Sequence, residues 1–333
     1  IARRLDELGI HYIEGGWPGS NPKDVEFFQQ ARRRPLSQAT VAAFGSTRRA
    51  QGQAHSDPNL LALVEAGTSV VTLVGKSSNT HVIQLLETSL EENLAMIADS
   101  VRFCRGKGLR VFFDAEHYFD GFKANPQYAL RTVQAAAEAG AEIVVLCDTN
   151  GGALPSQIMA GVQATRQASP VPLGIHTHND SELAVANSLA AVQAGAVQVQ
   201  GTINGYGERC GNANLCSIIP DLQLKLGIPC LSPEQLARLT EVSRYVSEIA
   251  NLVPDACQPY VGASAFTHKA GLHVSAVMKA EESYQHIAPE LVGNSLRVLV
   301  SELSGRGNIV YKARERGLNL EGEQARALLE QIK

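Results

Sequence analysis

The sequence predicts an α/β fold, a TIM (β/α)8 barrel that lacks its first strand in this chain, followed by a small, mainly helical subdomain. Short β-branched strands alternate with helical stretches of about 10 to 15 residues, the pattern of parallel βαβ units. Polar residues cluster where the predicted strands end, and barrel active sites lie at the carboxyl ends of the strands. A doubly wound open sheet would instead concentrate function at one switch point.

A helix is predicted at the start, from Ile1 to Leu8, because its apolar residues recur on one face and Gly9 can end it. Seven strands follow in the prediction. They are Ile10 to Glu14, Thr40 to Phe44, Ser69 to Val74, Leu109 to Asp114, Glu142 to Cys147, Val171 to His176 and Val197 to Ile203. Because eight such units close a barrel, we expect its first strand to lie upstream of Ile1.

The barrel pattern stops near Gly227. Ser232 is a typical N-cap and Pro233 suits the first helical position, so a helix is predicted to run from there to about Leu252. We therefore predict a barrel domain over residues 1–230, a helical linker over 231–260 and a helical subdomain over 261–333.

Composition excludes several classes of partner. With 29 basic and 33 acidic residues the net charge is −4, so no polybasic surface for nucleic acid or acidic lipid is expected. The longest apolar runs are far shorter than the roughly 20 residues that a membrane helix needs, so we expect a soluble protein. The six cysteines form no Cys-x-x-Cys pair, which favours reduced thiols in the cytoplasm.

The stretch from Gly174 to Asp180 carries the first chemical signal, because it contains His176 and His178. Alternate residues of a strand point to the same face, so both imidazoles should project side by side while Thr177 points away. Neutral imidazole is the commonest protein metal ligand. Two histidines need carboxylates, amides or water to complete a metal's shell. The alternative is a pair of histidines buried in the core.

The second informative stretch runs from Gly201 to Leu215 and holds four glycines, which allow tight turns and close backbone approach. Asn212 in this stretch could supply an amide oxygen to a metal ion. The alternative is an ordinary turn residue. A dinucleotide-binding fingerprint is excluded, because its glycines belong at the first βα turn.

These two stretches carry a family resemblance. Gly174 to Asp180, together with Asn204-Gly205-x-Gly207-Glu208-Arg209-x-Gly211-Asn212, resembles the metal-dependent acyltransferase and lyase barrels that include 2-isopropylmalate, homocitrate and citramalate synthases. The stretch Tyr12 to Asp24, with Glu14-Gly15-Gly16-Trp17-Pro18, is similar to the citramalate synthase branch, whereas isopropylmalate relatives usually have Glu-Ala-Gly-Phe-Pro there. The resemblance extends over essentially the whole chain, including residues 265–273.

The resemblance implies a reaction and a metal. The family condenses acetyl-CoA with a 2-oxo acid, which is pyruvate for citramalate in isoleucine biosynthesis, and then hydrolyses the thioester. It implies a divalent ion, Mn²⁺, Mg²⁺ or Zn²⁺, that is bound by His176, His178 and Asn212. It also implies that Thr149 binds the carboxylate of the oxo acid.

The resemblance, or a position at the end of a predicted strand, suggests catalytic or substrate-binding roles for five further residues. Glu116 matches the family's catalytic carboxylate, with a solvated or salt-bridged acid as the alternative. His268 and His273 are candidates to supply a proton or to activate water, and in relatives such a histidine reaches the partner's barrel, so a homodimer is expected. Glu14 and Lys76 are expected to contact substrate.

Three departures from the family pattern bear on activity. The first-strand motif Asp-x-Thr-Leu-Arg-Asp-Gly, which supplies a metal-binding aspartate and a substrate-binding arginine, does not occur in the sequence. From this chain by itself we therefore expect weak metal binding and little catalysis. The family's C-terminal regulatory domain is also absent, so feedback inhibition should be lost. Asp114 stands where some citramalate synthases place an aromatic residue, which leaves the choice of oxo acid open.

Three alternatives remain open at this point. A 2-isopropylmalate synthase would differ by a larger pocket for a branched oxo acid. A lyase is less favoured, because Cys210 has no evident cation other than Arg209 to lower its pKa. The alternative of another class is a truncated, non-catalytic chain or assembly partner, since an open barrel leaves two unpaired edges.

Overall fold

The computed structural model describes residues 1–280, 283–301, 304–320 and 322–332. The chain divides into two compact units, one from Ala2 to Ile218 and one from Ile219 onward. The boundaries predicted at residues 230 and 260 stay predictions. Among the helices in these described ranges, none combines the length and the apolar character needed to cross a membrane.

The first unit is built on one sheet of seven parallel strands that pair in chain order. The strands are β1 Tyr12–Glu14, β2 Thr40–Ser46, β3 Val70–Lys76, β4 Arg110–Glu116, β5 Ile143–Asp148, β6 Leu173–Thr177 and β7 Gln198–Gln200. All seven predicted strands are therefore present, and the α/β barrel class is confirmed. The predicted ends differ by a few residues; β4, for example, extends to Glu116 rather than ending at Asp114.

Helices connect these strands, as parallel pairing requires. They are α1 Ala2–Leu8, α2 Pro22–Arg33, α3 Pro58–Glu65, α4 Asn79–Gln84, α5 Leu90–Gly106, α6 Tyr118–Ala124, α7 Pro126–Glu138, α8 Pro155–Ala168 and α9 Ala184–Gln193, with α10 Leu215–Pro220 after the last strand. The predicted first helix is confirmed, and Gly9 follows it at a φ of 96°, where a residue with a Cβ would be strained.

Side-chain alternation gives the sheet an inner face, which points away from the helices. On β4, Val111 and Phe113 pack into the large core between sheet and helices. The alternating residues Phe112, Asp114 and Glu116 therefore share the inner face. Phe112 joins a small apolar cluster there with residues of β2 and β3. The inner face thus changes from apolar to polar toward the carboxyl ends of the strands.

The second unit is mainly helical, with a short parallel strand pair. Its elements are α11 Pro233–Leu236, α12 Leu239–Ala250, β8 Thr267–His268, α13 Gly271–Val277, β9 Arg297–Val298, α14 Arg306–Glu315 and α15 Gly322–Ile332. Ser232 caps α11 as predicted, accepting a hydrogen bond from the Gln235 amide. The prediction of one helix to Leu252 is wrong. The helix is interrupted at Arg238, whose ψ of −2° departs from the α-helical value near −42°.

Asp6 on α1 ties this helix to the segment before β2. Its buried carboxylate accepts hydrogen bonds from the backbone amides of Ser37, Gln38 and Ala39, at 2.8, 2.7 and 2.7 Å. Burial by itself would raise the pKa of Asp6, but these hydrogen bonds outweigh it and hold the pKa below its usual value.

Replacing Asp6 should therefore destabilise the fold. We expect Asp6→Ala to lower the free energy of unfolding by about 2 to 3 kcal/mol at pH 7 in urea denaturation, because hydrogen bonds to a charged acceptor are lost. Because the folded-state pKa is lowered, this contribution is complete above the unfolded value of about 3.9. It is lost as the pH falls through the folded pKa, so the two proteins should converge in acid.

The neighbouring Glu7 provides a matched control for Asp6. Glu7 is exposed on α1, and Glu7→Ala should change the free energy of unfolding by less than about 0.5 kcal/mol. Equal losses from both substitutions, or a loss at Asp6 that persists unchanged in acid, would contradict this account.

Candidate functional site

The two histidines of the Gly174 to Asp180 stretch lie at the carboxyl end of β6. Ile175 packs into the core on the helix side, so His176 lies on the inner face and His178 follows the end of the strand. The two ring centroids are 5.1 Å apart. Thr177 points away, and its hydroxyl donates to the carbonyl oxygen of Ala184 at 2.9 Å. The predicted side-by-side arrangement of the imidazoles is therefore observed.

The glycine-rich loop after β7 brings Asn212 to this pair. Residue 212 lies opposite His178 in an isolated antiparallel bridge. The amide of Ala213 donates to the carbonyl oxygen of Thr177 at 3.0 Å, and the amide of Asn212 donates to that of Gly205 at 2.9 Å. Backbone hydrogen bonds thus hold Asn212 against the end of β6.

Gly207 leaves room for the Asn212 side chain. A Cβ at position 207 would lie 2.0 Å from Nδ2 of Asn212. Nδ2 of Asn212 donates to the carbonyl oxygen of Tyr206 at 3.3 Å. The other end of the same amide, Oδ1, is therefore the atom that can act as a ligand. The absence of a side chain at Gly207 therefore decides where the Asn212 amide can lie.

The donor atoms of the three residues fit a divalent ion. Within the described ranges, Nδ1 of His178 and Oδ1 of Asn212 are buried and have no hydrogen-bond partner. Leaving such atoms unpaired costs about 1 to 3 kcal/mol each, a cost that coordination would remove. Nδ1 of His176 is bonded to Oε1 of Gln200 at 2.9 Å, which leaves Nε2 as this ring's ligand atom. Imidazole and amide donors suit Zn²⁺ or Mn²⁺.

These three donors do not form a complete metal shell. In the part of the chain that the structure describes, no group of three or more His, Cys, Asp or Glu side chains is arranged to hold a metal ion. Two imidazoles and one amide therefore need further oxygen ligands, which water or a chelating substrate could supply.

The surroundings of both imidazoles favour the neutral ring. Burial, reinforced by the adjacent His178, lowers the pKa of His176 to about 4. Burial and the positive charge of Arg209 lower the pKa of His178. Metal binding needs the neutral ring, so the environment favours the binding-competent form of each histidine.

Lys76 and Glu116 meet at the ends of neighbouring strands. The register of β3 and β4 sets residue 76 beside residue 116, and the two side chains form a partly buried ion pair. Glu116 is therefore an ion-paired carboxylate rather than an isolated one. Glu14 ends β1, and its side chain is exposed. Burial, together with the negative charge of Glu14, raises the pKa of Asp114 well above its usual value.

Thr149 follows the end of β5 and is held from two sides. Its hydroxyl oxygen accepts from the amide of His117 at 2.8 Å, and its carbonyl oxygen accepts from Arg209 Nη2 at 2.7 Å. The same guanidinium pairs with both oxygens of Asp180, at 2.8 and 3.0 Å. Arg209 thus connects the loops after β5, β6 and β7.

His268 and His273 lie in the second unit, at the end of β8 and on α13. Their ring centroids are 6.3 Å apart, and His273 stacks on Tyr284 at 4.2 Å. Nε2 of His268 is buried without a hydrogen-bond partner among the described residues. Burial and the neighbouring His273 lower the pKa of His268. The structure thus brings both histidines into one cluster, and it adds Tyr284, which the sequence analysis missed.

The sequence analysis also missed Gln200 and the pairing of Arg209 with Asp180. Gln200 bonds to His176 because β6 and β7 pair in a register that sets these residues side by side. No local pattern specifies the register of two parallel strands. The sequence shows that Asp180 and Arg209 carry opposite charges, but it does not show that these two side chains pair with each other.

We predict that Gly207→Ala disturbs the loop around Asn212. The new methyl group has to displace the Asn212 amide, and such overpacking costs about 1 to 3 kcal/mol in the free energy of unfolding. Gly152→Ala is the matched control, because nothing lies within 4 Å of its Cβ position and its φ is not positive. Denaturant unfolding compares the two. A loss no greater at Gly207 than at Gly152 would contradict the described packing.

The sequence is similar to those of two known families and of several named enzymes. Residues 1–246 match the family described as HMGL-like, and residues 260–333 match the homocitrate synthase post-HMGL domain-like family. The (R)-citramalate synthase of Geobacter sulfurreducens is 56% identical over 335 residues, which cover 100% of this chain and 63% of that protein. The 2-isopropylmalate synthase of Sulfolobus acidocaldarius is 34% identical, covering 100% of this chain and 83% of that protein.

The fold is also similar to a solved structure. Hydroxymethylglutaryl-CoA lyase from Pseudomonas aeruginosa superposes with a TM-score of 0.61 at 19% identity, covering 76% of this chain and 85% of that chain. At this identity the likeness concerns the fold alone. The chain spans 60 to 64% of the length of the (R)-citramalate synthases that it matches.

Proposed function

The chain belongs to the HMGL-like family, and from this premise we propose that it catalyses the condensation of acetyl-CoA with pyruvate and the hydrolysis of the thioester to (R)-citramalate and CoA. The activity is that of an acyltransferase in isoleucine biosynthesis. One observation carries the choice of reaction. Proteins named (R)-citramalate synthase are 50 to 57% identical to this chain over nearly all of it, whereas the 2-isopropylmalate synthase is 34% identical.

We propose that His176, His178 and Asn212 hold a divalent ion. The buried, unpaired Nδ1 of His178 and Oδ1 of Asn212 support this assignment. When bound, such an ion acts as a Lewis acid on the ketone of a chelating 2-oxo acid. The identity of the metal, Mn²⁺, Mg²⁺ or Zn²⁺, is left to experiment.

The protein's own groups have the remaining tasks. Thr149 binds the carboxylate of pyruvate at the end of β5. Glu116 removes a proton from the acetyl methyl group, whose carbon then forms the new bond to the ketone carbon. The ion pair with Lys76 fixes the position of this carboxylate at the end of β4. Glu14 and Lys76 contribute to the substrate pocket.

The later proton transfer is assigned from the family resemblance alone. His268 or His273 activates the water that hydrolyses the thioester. A homodimer in the cytoplasm follows from the family resemblance. None of the six cysteines, all of which lie within the described residues, forms a disulfide, which suits a reducing compartment.

Release of CoA from acetyl-CoA, followed with a thiol reagent, tests the reaction. We expect release with pyruvate to exceed release with 2-oxobutyrate or 2-oxoisovalerate, and chelator to abolish it. The assay is run on this chain, from which we expect little or no release, and on the same chain preceded by a strand bearing Asp-x-Thr-Leu-Arg-Asp-Gly, from which we expect the pyruvate-dependent release. A preference for 2-oxoisovalerate would replace the proposal by 2-isopropylmalate synthesis, and no release with any acid would overturn it.

Metal affinity tests the proposed ligands directly. Loss of a hydrogen-bond partner of a metal ligand lowers metal affinity by roughly 10- to 100-fold. His178→Ala removes a ligand itself, so we expect it to weaken Co²⁺ binding by at least that much. Isothermal titration and the visible absorption of bound Co²⁺ provide the readouts. His11→Ala, at an exposed histidine, should leave both unchanged. Equal Co²⁺ affinity in both variants would contradict the assignment.

Replacing Glu116 separates catalysis from metal binding. In the chain preceded by the first-strand motif, we expect Glu116→Gln to lower kcat by roughly 10²- to 10⁴-fold, the usual contribution of a general base, while Co²⁺ affinity stays unchanged. Glu65→Gln removes an exposed charge at the end of α3 and should leave kcat unchanged. A normal kcat in Glu116→Gln would exclude Glu116 as the base.

A further inference from the structure

The side chain of Gln200 is hydrogen-bonded at both ends on the inner face of the sheet. Its Oε1 accepts from Nδ1–H of His176 at 2.9 Å, and its Nε2 donates to Oδ1 of Asp114 at 3.0 Å. The three residues come from β7, β6 and β4, and Asp114 is buried. One amide therefore connects the proposed metal ligand to a buried acid across the sheet.

The two ends of an amide are not equivalent, and this asymmetry decides the state of the histidine. A neutral imidazole carries a single ring proton. When Oε1 of Gln200 accepts that proton's hydrogen bond at Nδ1, the lone pair is on Nε2. A reversed amide would present an N–H to Nδ1 of His176 and favour the proton on Nε2, where it would block metal binding.

Asp114 selects the orientation of this amide. Its Oδ1 accepts from Nε2 of Gln200, and this contact leaves Oε1 as the end of the amide that faces His176. A reversed amide would set two acceptor oxygens against each other, unless Asp114 supplied a proton. The acid thus acts on the metal ligand through Gln200, without contacting the ion.

We propose that Gln200 is a positioning residue that is oriented by Asp114 and keeps the ring proton of His176 on Nδ1, so that Nε2 stays available to a divalent ion. The proposal rests on the proposed function for the identity of this ligand. It adds that Gln200, which is not itself a metal ligand, controls which nitrogen of His176 can bind the ion.

Gln200→Leu tests the proposal, with Gln198→Leu as the matched control. Gln198 lies two residues earlier on β7, on the same face, and its Oε1 has no hydrogen-bond partner among the described residues. We expect Gln200→Leu to shift His176 toward the Nε2–H tautomer, read by ¹⁵N NMR of histidine-labelled protein. Co²⁺ affinity should fall by roughly 10- to 100-fold, as for other outer-shell partners of metal ligands. Gln198→Leu should change neither.

An exchange variant distinguishes positioning from packing. In Asp114→Asn/Gln200→Glu, the carboxylate at 200 accepts from His176 while the amide at 114 donates to that carboxylate. The double variant should therefore keep the Nδ1–H tautomer and recover most of the Co²⁺ affinity that Gln200→Leu loses. Because Glu and Asn keep the shapes of the native pair, Gln200→Met is the packing control: it occupies similar space without an acceptor for Nδ1–H, so it should not keep the Nδ1–H tautomer, whereas a Gln200 that only fills space would be replaced equally well by Met.

The tautomer readout needs no metal, so it separates this proposal from the proposed function. An unchanged His176 tautomer in a folded Gln200→Leu protein, or an equal change in Gln198→Leu, overturns the role of Gln200. If the wild-type chain bound no Co²⁺ while the tautomer shifted as expected, the metal assignment would fail and the positioning role would stand. Circular dichroism establishes that each variant is folded.

Discussion

The parallel register of β3 to β7 is the constraint on which the candidate site depends. It sets Lys76 beside Glu116 and His176 beside Gln200, and alternation directs these side chains to the inner face. The opposite face of the same strands is apolar and packs under the helices. A shift of one residue in β6 would exchange His176 for Ile175 and bury the imidazole among the helices. The hydrophobic core therefore fixes the position of the polar groups.

The glycine-rich loop after β7 completes the site from the other side. Its backbone pairs with the end of β6, and Gly207 leaves the space that the Asn212 side chain occupies. Arg209 then joins this loop to the loops after β5 and β6 through Thr149 and Asp180. The site is thus built from loops at the carboxyl ends of three neighbouring strands, the usual place for function in a barrel.

The sequence was sufficient for what local patterns determine. Strand and helix order follows from periodicity, and the His-x-His spacing predicts two imidazoles on one face. The break at Arg238 was not predictable, because the residues around Ser232 favour a continuous helix. The contact of Gln200 with His176 was missed for a related reason, since strand register is a property of the folded sheet. The roles of Glu116, His268 and His273 stay predictions.

We propose that His176, His178 and Asn212 hold a divalent ion at the end of β6. X-ray absorption of the Zn²⁺-loaded protein tests it most directly, because imidazole rings give a recognisable outer-shell scattering pattern. We expect two imidazole nitrogens at about 2.0 to 2.1 Å together with oxygen ligands, and one imidazole in His178→Ala. A spectrum without imidazole scattering, or one unchanged in His178→Ala, would contradict it.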